Sequence, residues 1–492
     1  MATGFGLAAA MPAHAVFLDP NGRGQVLVYP YFTVNGNNTT LVTLINSSKD
    51  AKAVKVRFLE GYDGRDVLDF NLYLAPLDTW VGAVVEKGEG AALFTNDGSC
   101  TVPALPSTLE QALAFSTANF NAGSAQGADG GPTGLARTRE GHIEVIEMGT
   151  VTDAAHGTRT SIQIDADGKR DCTQVVDAWA DAGYWRSDAQ VDIGPPSGGL
   201  FGSGTIVDVA LGSVASYNAD AVAQFYADGD SGEHSAPDAL TPNIAGGTSL
   251  TALVYANDKP FDLTFSQSID AVSAVFMADT LANEYWTGGG TAASSEWVIT
   301  YPTRCFYVDP YYVGQQARMP FENIYAQTAS GDVVSYTDLQ WVQVDREGYG
   351  DVFGTCLEPL LCPPPRLLYD SQVVTFGISN PDGIETDEFY NPKTPSGILG
   401  SNLVPMNLPA SAAGTGWARL DFRQGKYIYS QPRLLATTDG RALAGQPVTG
   451  FWVAQLVNGN VDGNGVLANY TSLFRHKSTS TCTKVADGSA CS

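Results

Sequence analysis

The chain is 492 residues long, 44% hydrophobic and 10% aromatic, which excludes wholesale disorder and leaves room for a large core. Twenty-seven Lys and Arg stand against 52 Asp and Glu, a formal net charge of −25. Such a surface repels nucleic acid and anionic membranes, so neither is expected as a partner.

Residues 1–15 read as the remainder of a secretory signal peptide. Phe5 to Met11 is a short apolar run and Ala13-His14-Ala15 an A-x-A cleavage site, which places a mature start near Val16. The positively charged start of such a signal is missing. No later stretch is long and apolar enough to cross a bilayer, so no transmembrane segment is expected. A secreted, cell-surface or periplasmic address follows, and with it disulfides. Seven cysteines, at 100, 172, 305, 356, 362, 482 and 491, lack the CxxC spacing of zinc sites. Loops would close between Cys100 and Cys172, Cys356 and Cys362, and Cys482 and Cys491, leaving Cys305 over. Other connectivities stay open.

From residue 25 to 85 strand follows strand. Val54, Val56 and Phe58 share a face with Lys55 and Arg57 opposite, and Leu68, Phe70, Leu72 and Leu74 repeat the alternation. Turn signals at 35–38, 47–50 and 63–64 separate the runs. This pattern predicts a mainly β protein: an antiparallel β-sandwich, immunoglobulin-like or jelly-roll-like, with a few inserted short helices. The cysteine–tryptophan hallmark of immunoglobulin domains is absent. Helices are expected after the capping box Ser107-Thr108-Leu109-Glu110, over Val175 to Ala182, and behind Ser268 as a cap. Residues 296–302 read as a strand that Pro302 would confine to an edge or a bulge. Beyond Asp309 prolines gather, with strands at 339–344, 372–378, 417–422 and 451–457. The expected division is a β-sandwich region over 16–310 and a proline-rich β domain over 311–492.

Chemistry is sought first in the strand Arg139 to Gly149, where Glu140, His142 and Glu144 would share one face. An imidazole with two carboxylates is a sound ligand set for a divalent metal. The competing and favoured reading is a polar, solvated strand face. Three acidic turns resemble calcium loops: Asp165, Asp167 and Asp171; Asn458, Asn460 and Asp462; and, most loosely, 227–233. Asp-Gly and Asn-Gly are also ordinary hairpin turns, the favoured reading loop by loop. Calcium is the one cofactor entertained.

No G-x-S-x-G is present, and Cys305 would alternate with Tyr301, Thr303 and Tyr307 on a buried strand face, a poor nucleophile. The Gly198–Gly204 run opens no helix, which argues against phosphate binding. Paired carboxylates for glycoside hydrolysis leave no sequence signature. The aromatics Tyr301, Phe306, Tyr307, Tyr311 and Tyr312 are read as packing, with sugar stacking as the alternative.

The strings Val28-Tyr29-Pro30-Tyr31, Asn283-Glu284-Tyr285-Trp286, Trp297-Val298-Ile299-Thr300-Tyr301-Pro302-Thr303 and Ala468-Asn469-Tyr470 resemble those of exported proteobacterial proteins of uncharacterised function. The resemblance implies a bacterial source and a cell-envelope or extracellular address, and carries no activity. The reading that results leans away from an enzyme. It is a secreted or surface-displayed structural or adhesive protein that self-associates through strand edges, 39–46 and 205–211 being candidates with one charge or none. The alternative is a carbohydrate-binding or carbohydrate-active β protein, with a cell-surface glycan as partner.

Overall fold

The structure is a computed structural model that describes residues 15–166, 168–288, 292–326, 335–353, 366–377, 395–408, 414–424, 431–458, 463, 465 and 468–491. Alternating sequence becomes mainly antiparallel sheet, as expected. A 10-stranded sheet runs in the order Lys259–Thr264, Thr251–Ala256, Ala15–Leu18, Asp220–Ala223, Val26–Thr33, Glu140–Val151, Ala51–Glu60, Asp66–Leu74 and Cys100–Val102. Its tenth strand, Ile193–Gly194, pairs with the end of Glu140–Val151. Opposite lies a 6-stranded sheet: Ser213–Asn218, Leu200–Asp208, Asn38–Asn46, Thr79–Lys87, Gly90–Phe94 and Leu113–Ala114. Val54, Val56, Phe58, Ile143 and Val145 of the first pack with Val42, Leu44, Trp80 and Val84 of the second. This is the sandwich that the period-two pattern requires.

Gly202 and Gly204 show why the glycine-rich run is a strand. A Cβ at Gly202 would strike the Tyr29 hydroxyl, and one at Gly204 the Tyr217 ring. These glycines make room for buried tyrosines.

Beside a 3-stranded sheet and two 2-stranded ones, the described residues form two further sheets of five strands each. The inner one runs Met406–Leu408, Ser371–Phe376, Ala293–Thr300, Thr449–Leu456 and Tyr470–Arg475. The outer one runs Gly350–Phe353, Gln340–Asp345, Thr415–Asp421, Thr280–Trp286 and Lys477–Thr479. The central strands of the inner sheet are buried on both faces. Val298, Val373, Phe451 and Val453 join the sandwich core, whereas Trp297, Ile299, Val374, Phe376 and Trp452 join a second core with Leu281, Tyr285, Ala418 and Leu420 of the outer sheet.

The boundary expected near residue 310 does not separate these layers. Thr280–Trp286 and Ala293–Thr300, which precede it, pair along their lengths with Thr415–Asp421 and Thr449–Leu456, which follow it. Ala293–Thr300 is also no edge strand: it ends before Pro302 and is paired on both sides. Neither expected edge strand lies at an edge, since Asn38–Asn46 and Leu200–Asp208 each have two neighbours.

Helices appear at Thr173–Ala178 and Ser268–Phe276. In the latter Gln267 is the N-cap, and the Ser268 hydroxyl donates instead to Ala245 O at 2.8 Å. No helix follows Ser107: residues 107–111 are bends and turns, and Leu109 is exposed, so the apolar stripe has nothing to pack against. Cys305 stands on the short helix Cys305–Val308 rather than a strand, and is buried.

Cys100–Cys172 and Cys482–Cys491 are disulfides, and Cys305 is free. The expected Cys356–Cys362 pair lies outside the described residues. Protein unfolded without reductant should therefore titrate one thiol, and native protein none, with an Ellman-type reagent. Three thiols on unfolding would show that Cys356 and Cys362 are unlinked.

Candidate functional site

Glu140–Val151 lies at the heart of the large sheet between Val26–Thr33 and Ala51–Glu60, and its Glu140, His142, Glu144 and Glu147 are all at most 3% exposed. The solvated face expected for this strand does not exist, because residues 197–198, Ser371 and 401–402 lie over it.

Each polar residue of the strand holds a different segment. Glu140 accepts from the Tyr31 hydroxyl (2.8 Å), Asn35 Nδ2 (3.0 Å), the Ser401 hydroxyl (2.5 Å) and Asn402 N (2.9 Å). His142 Nδ1 meets the Ser371 hydroxyl at 3.2 Å, and its Nε2 is buried without a partner. Burial, and then the Arg57 guanidinium, push the imidazole down to about 3, so it stays neutral. Glu144 accepts from Arg57 at 2.8 Å, and Arg57 also reaches Asp66 at 2.5 Å. Burial raises the Glu144 carboxyl to about 7 against the pull of Arg57. Glu147 accepts from Lys52 (2.6 Å) and from the backbone of Ser197 and Gly198, both at 2.8 Å. The first three were read as one ligand set; the structure gives them separate partners.

Beside this strand, the turn 60–65 carries a second ionic group. Glu60 accepts the backbone N–H of Tyr62, Asp63 and Arg65 and two guanidinium bonds from Arg137, each at 2.9 Å. Arg137 also pairs with Asp129. Arg65 grips Asp309 through Nε at 2.8 Å and a terminal nitrogen at 2.9 Å. Arg304 reaches Asp370 at 2.5 Å and Ser335 and Leu368 besides. Asp63 is fully buried, and neither carboxylate oxygen has a hydrogen-bond partner. Burial, and then the neighbouring Asp309 and Asp370, hold its carboxyl well above the ordinary range; burial likewise raises Asp370 to about 7. Burial thus favours the neutral form of Asp63.

The remaining candidates are dispersed. Asp165 accepts from Lys169 N at 2.8 Å and Asp171 from Thr173 N at 3.1 Å, ordinary turn and helix-start bonds. Asp171 also borders, with Asp177 and Tyr184, a surface depression of about 540 Å³. In the loosest loop, Asp230 accepts from the Thr248 hydroxyl at 2.6 Å. Asn458 is tied to Asn469 and Ala468. Asp167, Asn460 and Asp462 lie outside the described residues. Among the described residues no three His, Cys, Asp or Glu side chains are grouped to hold a metal ion.

The other histidines are engaged as well. His234 is buried with Tyr73, Trp179 and Trp185, its Nε2 3.0 Å from the Tyr73 hydroxyl. His156 stacks on Tyr184 at 3.9 Å. Tyr301, Phe306 and Tyr307 are core, Tyr312 is half-buried, and Tyr311 is exposed. What the sequence did not single out is the ionic group of Glu60, Asp63, Arg65, Arg137, Arg304, Asp309 and Asp370, drawn from four distant segments. No local spacing announces it.

No family model, no curated protein and no solved structure matches this chain.

Two outcomes follow from the buried groups. A raised folded-state pKa stabilises while the acid is protonated, and that contribution is lost as pH rises through the folded value. Asp63→Asn preserves the neutral shape, so its melting temperature should gain on that of the native protein across the range that runs upward from about pH 4, the ordinary aspartate value, through the raised folded one. A constant difference across that range would show that Asp63 does not carry the titration. Glu140→Ala strips four donors of their acceptor and should cost about 3 kcal/mol in chemical denaturation.

Proposed function

We propose that this chain is an extracytoplasmic adhesive or structural protein of a bacterial cell exterior that associates with copies of itself. The observation that carries the reading is one corner of the surface where two long sheet edges end side by side. Most other edges are guarded. Cys100–Val102, Leu113–Ala114, Met406–Leu408 and Lys477–Thr479 are short, and Lys259–Thr264 carries Lys259, Pro260 and Asp262. Ser213–Asn218 is six residues long, has no charge, and exposes Val214. Tyr470–Arg475, also six residues, exposes Tyr470 and Phe474.

Asn469 Nδ2 donates to Leu211 O, and Gln455 Nε2 to the Ser213 hydroxyl at 3.1 Å, which bring the two edges together. Between them a cavity of about 280 Å³ is lined by Tyr217, Phe451, Leu473 and Phe474 and bordered by the Asp220–Arg475 pair. Unpaired backbone beside exposed aromatic and aliphatic side chains suits association through a strand of a second copy. The two disulfides support an oxidising compartment.

Repulsion between molecules of net charge −25 keeps the edges apart at low salt. Calcium acts in this reading as a bridge between carboxylates of neighbouring molecules. Light scattering and negative-stain microscopy across a calcium series should show oligomers growing with calcium and protein concentration. Val214→Lys should abolish that growth without lowering the melting temperature. A native protein that remains monomeric at high concentration with calcium would end the assembly reading.

A further inference from the structure

The outer 5-stranded sheet turns one face to the second core and the other to solvent. Along Thr415–Asp421 the inward positions are Gly416, Ala418 and Leu420, and a Cβ at Gly416 would strike the Val344 carbonyl and, next, the Tyr285 hydroxyl of the inward-facing side. Trp417 and Arg419 therefore point outward. The pairing sets Val344 on one side of Trp417 and Glu284 on the other, and Val342 and Ala282 on either side of Arg419.

Three features set this patch apart. First, Trp417 is 40% exposed in the middle of a sheet, where an indole is normally covered. Second, the polar groups around it are uncommitted. Arg57, Arg65, Arg137, Arg304 and Arg433 are spent on ion pairs, whereas neither Arg419 nor Glu284 forms one among the described residues. Among the described residues Arg419 Nε is shut off from water and has no hydrogen-bond partner, and Glu284 is exposed. Third, Gly350 lies opposite Val344 on the next strand, and the residue before it, Tyr349, is 78% exposed. Two strand spacings, about 10 Å, separate the Trp417 backbone from that of Gly350.

A flat indole, an unpaired acceptor and an unpaired donor on one rigid face match the two-sided chemistry of a hexose ring. Its C–H face is apolar, and its rim of hydroxyls both donates and accepts. We infer that the outer-sheet face formed by Trp417, Arg419 and Glu284 binds neutral hexose oligosaccharides. One ring stacks on Trp417, its hydroxyls donate to Glu284 and accept from Arg419, and the chain extends across Val344 and Gly350 toward Tyr349. The charge of −25 selects against uronic-acid, sulfated and nucleic-acid chains. Sheet strands hold the side chains at fixed spacing, so little ordering opposes binding. This inference deepens the adhesive part of the reading above and rests on it, yet uses a different face from the assembly corner.

The test is calorimetric titration of the full chain with short neutral oligosaccharides of glucose, mannose and galactose, with the matching uronic-acid oligomers as controls. Binding of at least one neutral series is expected, with none of the acidic series. Trp417→Ala should weaken it tenfold or more, and Glu284→Gln and Arg419→Met severalfold. Tyr349→Ala should weaken longer oligomers and leave the disaccharide unchanged. Because Trp417, Glu284 and Tyr349 are exposed, the melting temperatures of their variants should stay near that of the native chain. Absence of binding to every neutral series at millimolar sugar overturns the inference, as does binding that Trp417→Ala leaves intact. Val214→Lys separates the two readings: sugar binding retained with assembly lost upholds this site. Binding lost in Val214→Lys but retained in Trp417→Ala moves the ligand to the other corner and overturns it.

Discussion

One strand, Glu140–Val151, is buried on both faces, and the rest of the molecule is arranged around what that burial demands. A strand in such a position usually reads as a continuous apolar run. This one carries three glutamates and a histidine, and a buried carboxylate without partners is prohibitively costly. Each is therefore met by a partner: 401–402 at Glu140, Ser371 at His142, the cross-strand neighbour Arg57 at Glu144, and Lys52 of the same neighbouring strand with 197–198 at Glu147. The polar groups act as addresses that only one arrangement of the chain can satisfy. Replacing such networks with apolar residues is often neutral, whereas removing one partner costs about 3–5 kcal/mol. Their effect is thus to disfavour alternatives more than to deepen the native state.

Glu296 shows the same logic from the other half of the chain. It accepts from Ile398 N at 2.7 Å and Leu399 N at 2.9 Å, while Thr33 and Asn38 hold the carbonyls of Leu399 and Ile398. A single loop thereby bonds to the inner sheet, to the large sheet and to Asn38–Asn46 of the opposing sheet. The two halves of the sequence are stitched together where a boundary was expected.

The sheets were largely legible from residue patterns. Val54, Val56 and Phe58 against Lys55 and Arg57 gave the correct face, and strands at 339–344, 417–422 and 451–457 fall within a few residues of their observed positions. The fate of the polar face was not legible. Alternating charge looks the same whether water or a second layer covers it, and the second layer comes from distant segments: 197–198, 236–237, Ser371 and 401–402. The same limit hid the ionic group of Glu60, Asp63, Arg304 and Asp370. Ser107 failed for a different reason: a capping box specifies how a helix begins, but without a surface for Leu109 to cover none forms. Trp417 was legible as a strand residue only, since its exposure depends on which face the outer sheet turns inward.

The short strand Ala15–Leu18 pairs in parallel with Thr251–Ala256 and antiparallel with Asp220–Ala223. Among the described residues it is the only link in the large sheet between the hairpin Thr251–Thr264 and the other strands. A chain delivered amino end first presents these four residues to solvent long before either neighbour has emerged. The large sheet can therefore close only once Thr251–Ala256 has been delivered, and Ala15–Leu18 must wait for both neighbours. Whatever accompanies the nascent chain must keep an apolar, unpaired strand from finding a different neighbour in that interval. For this architecture the vulnerable period is its arrival rather than its working life.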